Sequence, residues 1–359
     1  MSFTYARLAR AVAAISLAAL VSVPTFAPTA TAETVEATPD GSGSSLVVAT
    51  FNVRCANCSK RPANSREKRW EVRAPVIVDQ ILREKVDVIG VQEASPGLLD
   101  DRRTAQFEDL VDRLGGAYRV TDSSRYNCTR TDTTFTNCGG FTDRGASQDS
   151  RIIYNANRLT RLDGGSLRLD GRSIGNGSAR YMAWAKFQDA RTGKKFIFAT
   201  AHFEPGVSRS KSSTRVKQVR KATAELNRVD GGLPVIWASD LASSKLTHVG
   251  NKAYDAFKAA GFTDPLDNYY KAKTAGPRKY ADKMTNEQYF TLNNFAKGPK
   301  NYVSRGYKLG AHLDYILIKS PQRANVTEWK EVLNLDSSGN FAGVIPSDHN
   351  MVRATVVLP

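Results

Sequence analysis

The sequence predicts a four-layer α/β sandwich, two packed mixed sheets flanked by helices. Three observations carry the prediction. Short apolar runs rich in β-branched residues alternate with stretches whose apolar residues recur at helical spacing. Several of these runs are apolar on both faces, the pattern of strands buried in the middle of a domain. The strand-like runs also crowd into the middle and the end of the chain, an arrangement that suits two sheets with helices outside them.

Leu46–Val53 is the first buried run. A helix capped by Asn64 or Ser65 is expected from about Arg66, with Trp70, Val76, Ile77, Ile81 and Leu82 at helical spacing and Pro75 as a kink. Val86–Val91 is the next strand, ending in Gln92-Glu93, and a second helix is expected over Pro96–Leu114. Strands follow near Arg151–Tyr154, Tyr181–Phe187 and Lys195–His202, then a basic helix over about Ser212–Arg228. Leu233–Ser239 is apolar and closes on Asp240; Tyr254–Ala260 reads as a helix. The last strands are His312–Ile318, Val326–Leu333 and Asn350–Val357.

Residues 265–310 break the alternation. Nine basic residues from Lys271 to Lys308 face two acids, Asp282 and Glu287, and Tyr269, Tyr270, Tyr280, Tyr289, Phe290 and Tyr302 are interleaved. Such a segment either holds phosphates and stacks bases, or is a surface excursion whose aromatics pack on the sandwich.

The first residues carry the marks of an export signal: Arg7 and Arg10, an apolar run over Ala11–Val21 too short to span a bilayer, and small residues at Ala30-Thr31-Ala32. Residues 1–32 are therefore set apart as a signal peptide, 33–45 as a flexible Thr/Gly/Ser-rich leader, and 46–359 as one domain. The expected location is extracellular, with no stable membrane insertion, and a monomer is the simpler assembly.

Loss of Arg7 and Arg10 lowers the formal net charge from +16 to +14. That balance favours polyanionic partners, nucleic acid or an anionic lipid surface. The four cysteines, in an oxidising compartment, suggest disulfides: Cys128 with Cys138 across a short polar loop, and Cys55 with Cys58 as a tight local bridge. Cys-x-x-Cys is also half of a zinc site, but no second Cys/His pair stands at a suitable spacing.

Asn52, Glu93, His202, Asp240, Asp314 and Asp348-His349 all fall at or beside apolar strand runs. Desolvating a charge there is costly unless it is paired or metal-bound. Glu93, Asp348 and Asn52 offer hard oxygen ligands suited to Mg²⁺, with Mn²⁺ or Ca²⁺ as alternatives. His202 and His349 can handle protons near neutral pH. Asp314 can orient an imidazole, and Arg180 can neutralise a phosphate. Together these are the parts of a phosphate-ester hydrolase.

Thr50-Phe51-Asn52-Val53, Val88-Ile89-Gly90-Val91-Gln92-Glu93, Thr200-Ala201-His202-Phe203, Ala238-Ser239-Asp240, His312-Leu313-Asp314-Tyr315-Ile316 and Ser347-Asp348-His349 follow one another along the chain. In this order they resemble the successive motifs of the endonuclease/exonuclease/phosphatase family, over nearly all of 46–359. The family includes deoxyribonucleases, abasic-site endonucleases, sphingomyelinases and inositol polyphosphate phosphatases, and its fold is a four-layer sandwich.

The resemblance implies a role for each residue. Glu93 would be the principal metal ligand, supported by Asn52, which also serves the phosphate, with Asp348 as a second acid near the metal. His349 would be catalytic and paired with Asp314. Asp240 would position or deprotonate the attacking water, His202 would serve acid–base chemistry or bind phosphate, and Arg180 would bind phosphate. The implied activity is hydrolysis of a phosphodiester, most naturally in DNA or RNA. A phospholipid or a small phosphate ester is the alternative substrate, although no strongly apolar loop stands out for membrane contact. One departure is clear: Ala242 replaces an asparagine that normally contacts the scissile phosphate. Ser243 is next in line to substitute for it, and a weakly active or purely binding protein is a third reading.

Overall fold

The computed structural model describes residues 45–123, 150–172, 179–244, 251–266, 281–320 and 324–359. All of them fall within the unit Gly41–Pro359. Residues 1–32, all but the last residue of 33–45, and the expected Cys128–Cys138 pair lie outside the described residues.

The described elements run β1 (Ser45–Asn52), α1 (Trp70–Arg83), β2 (Val88–Gln92), α2 (Gln106–Leu114), β3 (Tyr118–Val120), β4 (Ser150–Asn155), β5 (Leu159–Arg172), β6 (Ala179–Asp189), β7 (Lys195–Ala201), α3 (Arg209–Val229), β8 (Val235–Asp240), α4 (Asn251–Ala259), β9 (Lys283–Thr285), β10 (Asp314–Lys319), β11 (Asn325–Val332) and β12 (Met351–Val357). They build one sheet in the order β3-β4-β2-β1-β12-β11-β9 and a second in the order β10-β8-β7-β6-β5. Both sheets are mixed: β1 is parallel to β2 and antiparallel to β12, and β8 is parallel to β7 and antiparallel to β10. The predicted sandwich is the observed one.

Side-chain alternation explains the layering. Leu46, Val48, Val88, Ile236, Ala238, Ile316 and Val352 fill the space between the sheets. Ala49, Phe51, Ile89 and Val91 point to the other face of the first sheet and receive Trp70, Ile77 and Ile81 of α1 with Phe107 and Leu110 of α2. Ile197, Ala199, Trp237 and Leu317 do the same for Val219, Ala222 and Leu226 of α3 with Tyr254 and Phe257 of α4. Central strands covered on both faces need apolar residues on both, which is why β1, β2 and β8 show continuous apolar runs.

The sheets approach closely at Gly90. A Cβ there would lie 2.4 Å from Thr200 Oγ1 and 2.6 Å from the Ala238 carbonyl. Gln92 Nε2 donates to Thr200 Oγ1 at 2.9 Å and to Thr50 Oγ1 at 3.1 Å, stitching β2 to β7 and β1. These contacts draw together the strand ends that carry the polar residues.

Several boundaries differ from the sequence expectation. α1 begins at Trp70 rather than Arg66, because Asn64 turns the backbone short of the helix, its Oδ1 accepting from Arg66 N at 2.9 Å. Pro75 lies inside an uninterrupted α1. α2 begins at Gln106 rather than Pro96. Asp101 Oδ1 accepts from Arg103 N and Thr104 N, closing a turn that competes with helix, and Glu108 then accepts from Ala105 N to start it. Strands β3, β5 and β9 were not anticipated: β3 and β9 have three residues each, and β5 is rich in Arg, Asp and Gly. All three lie at sheet edges, where one-sided pairing leaves little apolar pattern to read.

Candidate active site

Six strand ends converge, and register decides which side chains meet. Across the second sheet Asp314 is the pairing partner of Asp240, and His202 bridges to Asp240 from just past β7. In the first sheet Asn52 pairs with Gln92, the residue before Glu93. Glu93 sits at φ 58, a left-handed conformation that turns the chain as the strand ends. Asp348 and His349 lie just ahead of β12, which pairs with β1. Ser347 Oγ donates to the Asn52 carbonyl at 2.6 Å, fastening that loop to the end of β1.

The result is one polar cluster. Asn52 Nδ2 donates to Glu93 Oε1 at 3.1 Å and to Asp240 Oδ2 at 3.2 Å, so a single amide joins the two sheets. Asp240 Oδ2 lies 3.5 Å from His202 Nε2 and 3.8 Å from His349 Nε2. The other ring nitrogen of His349, Nδ1, is 2.9 Å from Asp314 Oδ2. These side chains line or underlie an open cleft of about 320 Å³.

The electrostatics separate their roles. Burial works to raise the Asp240 carboxyl, but the imidazoles of His349 and His202, the Ala242 N–H and the Asn52 amide outweigh it and hold Asp240 below the ordinary range. Burial works to lower His349, yet Asp314 and Asp240 lift it well above an ordinary histidine. Asp314 is raised by burial and by Asp240. The buried trio thus favours a protonated His349 and an ionised Asp240.

Glu93 and Asp348 form the acidic pole of the cleft. Cys55 N–H donates to Glu93 Oε2 at 3.0 Å. Asp348 is raised by burial and by the charge of Glu93, and Arg54 Nη1 lies 3.5 Å from Asp348 Oδ2. Two carboxylates on one polar cleft, the charge of Glu93 raising Asp348, with the Asn52 amide beside them, form a donor set of hard oxygens that fits a divalent cation.

Comparison with known proteins identifies the fold. No family model matches the sequence, and no curated protein matches it. Solved structures do. An endonuclease/exonuclease/phosphatase family protein from Bacteroides thetaiotaomicron superposes with a TM-score of 0.61 at 20% identity, covering 88% of this chain and 98% of its own. A mannosyl-6-phosphatase from the same species gives 0.59 at 20% identity over 87% and 100% of the two chains. The TDP2 of D. rerio, complexed with a single-strand DNA product, gives 0.52 at 16% identity over 87% and 99%. The chain has the endonuclease/exonuclease/phosphatase fold.

Within that fold the structure brings together Asn52, Glu93, His202, Asp240, Asp314, Asp348 and His349, all seven of which the sequence singled out. Arg180 is placed elsewhere. It is fully buried, donates from Nη1 to the His202 carbonyl at 2.9 Å, and is absent from the cleft wall. Cys55 and Cys58 are joined. Ala242 lines the cleft at φ 47, and its N–H donates to Asp240 Oδ1 at 2.7 Å. Ser243 and Ser244 line the same wall.

Three arginines escaped sequence reasoning. Arg54 and Arg215 line the cleft. Arg215 Nη1 donates to the Glu204 and Gly206 carbonyls, each at 2.7 Å, and so holds the loop after His202. Arg73 lies behind the loop that carries Asp348, its Nη1 donating to the Pro346 carbonyl at 2.7 Å. The available signal was a charge set inside an apolar helical stripe: Arg73 between Trp70 and Ile77, and Arg215 one turn ahead of Val219. Of the 265–310 excursion, residues 281–310 brace the site. Asn293 N and Asn294 N donate to the Asp348 carbonyl at 2.7 and 3.0 Å, and Phe290 packs edge-on against Tyr302. These aromatics pack on one another within the excursion rather than on the sheets; Tyr269, Tyr270, Tyr280 and Lys271 lie outside the described residues.

Proposed function

We propose that the protein is a secreted, divalent-metal-dependent phosphodiesterase acting on DNA or RNA. The observation that carries this reading is the single cleft in which an ionised Asp240 stands between two imidazoles, with the Glu93–Asp348–Asn52 oxygens at one side. A divalent cation there, Mg²⁺ by the hardness of the donors, would supply positive charge to the phosphoryl oxygens. Asp240 accepts a proton from the attacking water. His349, kept protonated by Asp314, donates a hydrogen bond to the phosphoryl group as charge builds there. His202, whose Nε2 lies 3.5 Å from Asp240 Oδ2, hands a proton to the leaving oxygen. The net charge, +16 for the full chain and two units lower once Arg7 and Arg10 are removed, favours a polyanionic substrate.

The test is incubation of the protein with plasmid DNA, with RNA and with bis(p-nitrophenyl) phosphate, in Mg²⁺ or Mn²⁺ and in chelator. Metal-dependent cleavage of a nucleic acid is the expected result, and no hydrolysis of any of the three would overturn the reading. A sugar phosphate belongs in the same assay, because a mannosyl-6-phosphatase shares the fold; turnover of that monoester alone would move the substrate class to small phosphate esters. Export is tested by sequencing the N-terminus of protein recovered outside the cell, with residue 33 expected first. Among the described residues no helix is long and apolar enough to cross a membrane.

A further inference from the structure

The Cys55–Cys58 disulfide lies against Glu93. Cys55 N–H donates to Glu93 Oε2, a contact made 38 residues apart in sequence. Cys55 Sγ, Cys58 Sγ and a Glu93 carboxylate oxygen all fall within 4.8 Å of one another, and all three residues are partly exposed. Disulfide sulfurs are poor ligands, whereas thiolates are strong ones for soft cations. Cys-x-x-Cys supplies two of the donors that a tetrahedral zinc site needs; the sequence offers no second such pair, but the fold delivers Glu93 as a third donor. Three protein ligands and a water complete a four-coordinate site.

We propose that reduction of the Cys55–Cys58 disulfide opens a second metal site, made of both cysteine sulfurs and Glu93, which takes a soft divalent cation of the zinc or cadmium class and draws Glu93 out of the catalytic cleft. With a water-soluble phosphine as reductant the step balances. The S–S bond breaks, two thiols form with protons from water, and the phosphine keeps the water oxygen as its oxide. Binding of the cation then releases the two thiol protons. The loss of activity rests on the reading of Glu93 as a ligand of the catalytic cation; the binding of the soft cation does not.

The experiment uses the full chain carrying Cys128→Ser and Cys138→Ser, so that the remaining cysteines alone respond. Oxidised and phosphine-reduced protein are titrated with cadmium chloride, and the ultraviolet thiolate-to-cadmium absorption is read beside Mg²⁺-dependent phosphodiesterase activity. The expected result is one cadmium bound per chain in the reduced protein only, abolished by Cys58→Ser and weakened at least about tenfold by Glu93→Gln. Activity of the reduced, cadmium-loaded protein is expected to fall at least about tenfold and to return on chelation followed by reoxidation. Absence of the absorption band in reduced protein overturns the proposal, as does cadmium affinity unchanged by Glu93→Gln. Full activity in the cadmium-loaded form overturns the coupling to Glu93. If oxidised protein has no activity at all, the functional reading fails, while the cadmium titration still decides the site.

Discussion

His349 Nδ1 lies 2.9 Å from Asp314 Oδ2, and both side chains are buried. The contact fixes the imidazole plane and leaves Nε2 facing Asp240 and the cleft. It also lifts the histidine, because Asp314 is the largest of the groups that favour its charged form. Asp314→Asn keeps the shape but removes the charge. We expect kcat to fall by roughly 10²–10⁴ with KM little changed. The protonated histidine is the active form in this scheme, so activity declines as pH rises through its raised pKa, and the substitution should move that decline to lower pH. A pH profile of kcat/KM for both proteins checks it; an unshifted alkaline limb would show that His349 does not carry the proton.

Ala242 occupies the left-handed region at φ 47, where an L-alanine costs about 1–2 kcal/mol. Asparagine tolerates that conformation better and brings a side-chain donor to the cleft wall. Ala242→Asn is expected to stabilise the fold by about 0.5–1 kcal/mol and to raise kcat by about tenfold or more. Ala242→Gly relieves the strain equally but adds no donor, so its stability should rise without a gain in rate. Thermal unfolding and turnover of the three proteins separate the effects. An asparagine variant that gains stability and no rate would mean that the donor is already supplied from elsewhere on that wall.

Arg73 ties the acidic pole together. Its guanidinium donates to the carbonyls of Val53 (2.9 Å), Arg54 (3.1 Å), Pro346 (2.7 Å) and Lys68 (2.8 Å) and to Ser59 Oγ (3.0 Å). It thereby links the end of β1 to the loop carrying Asp348. Burial brings its pKa down to about 10, still high enough to keep it charged at neutral pH. Arg73→Met should cost about 3–5 kcal/mol by leaving several buried carbonyls unpaired, and weaken divalent-cation binding as the loops loosen. Urea unfolding and calorimetric titration with Mn²⁺ are the measurements. A stable variant with unchanged Mn²⁺ affinity would remove Arg73 from the support of the site.

The residues that were legible in the sequence share one property. Asn52, Glu93, His202, Asp240, Asp314, Asp348 and His349 each interrupt or end an apolar run, so a polar side chain is conspicuous against its neighbours. β1, β2 and β8 were equally plain because both of their faces are buried. What was hidden depends on tertiary contact. Arg180 looks like a phosphate ligand by its position before a strand, but the fold turns it inward under the His202 backbone. Arg73 looks like one helical charge among several, yet its four carbonyl partners include Pro346, far along the chain. The late starts of α1 and α2 arise from Asn64 and Asp101 capturing nearby backbone N–H groups, a local competition that helical spacing does not register.

Glu331 on β11 shows how such a hidden group can be measured. It is fully buried, accepts from Asn350 Nδ2 at 2.6 Å through Oε1, and its Oε2 has no hydrogen-bond partner among the described residues. Burial, with a further contribution from Asp314, pushes its pKa up to about 8. An unfolded glutamate titrates near 4.3. Between those values the unfolded chain has given up the proton and the folded chain keeps it, so stability falls as pH rises from about 4 to about 8 and levels off above. Glu331→Gln retains a neutral side chain that accepts from Asn350 and abolishes the titration. The variant should match the parent near pH 4 and exceed it by up to a few kcal/mol near pH 8. Urea midpoints at the two pH values test this, and the decisive quantity is the difference between the proteins, since other groups titrate in both. A constant difference across the range would mean that Glu331 is ionised in the fold and that its charge is met by a partner.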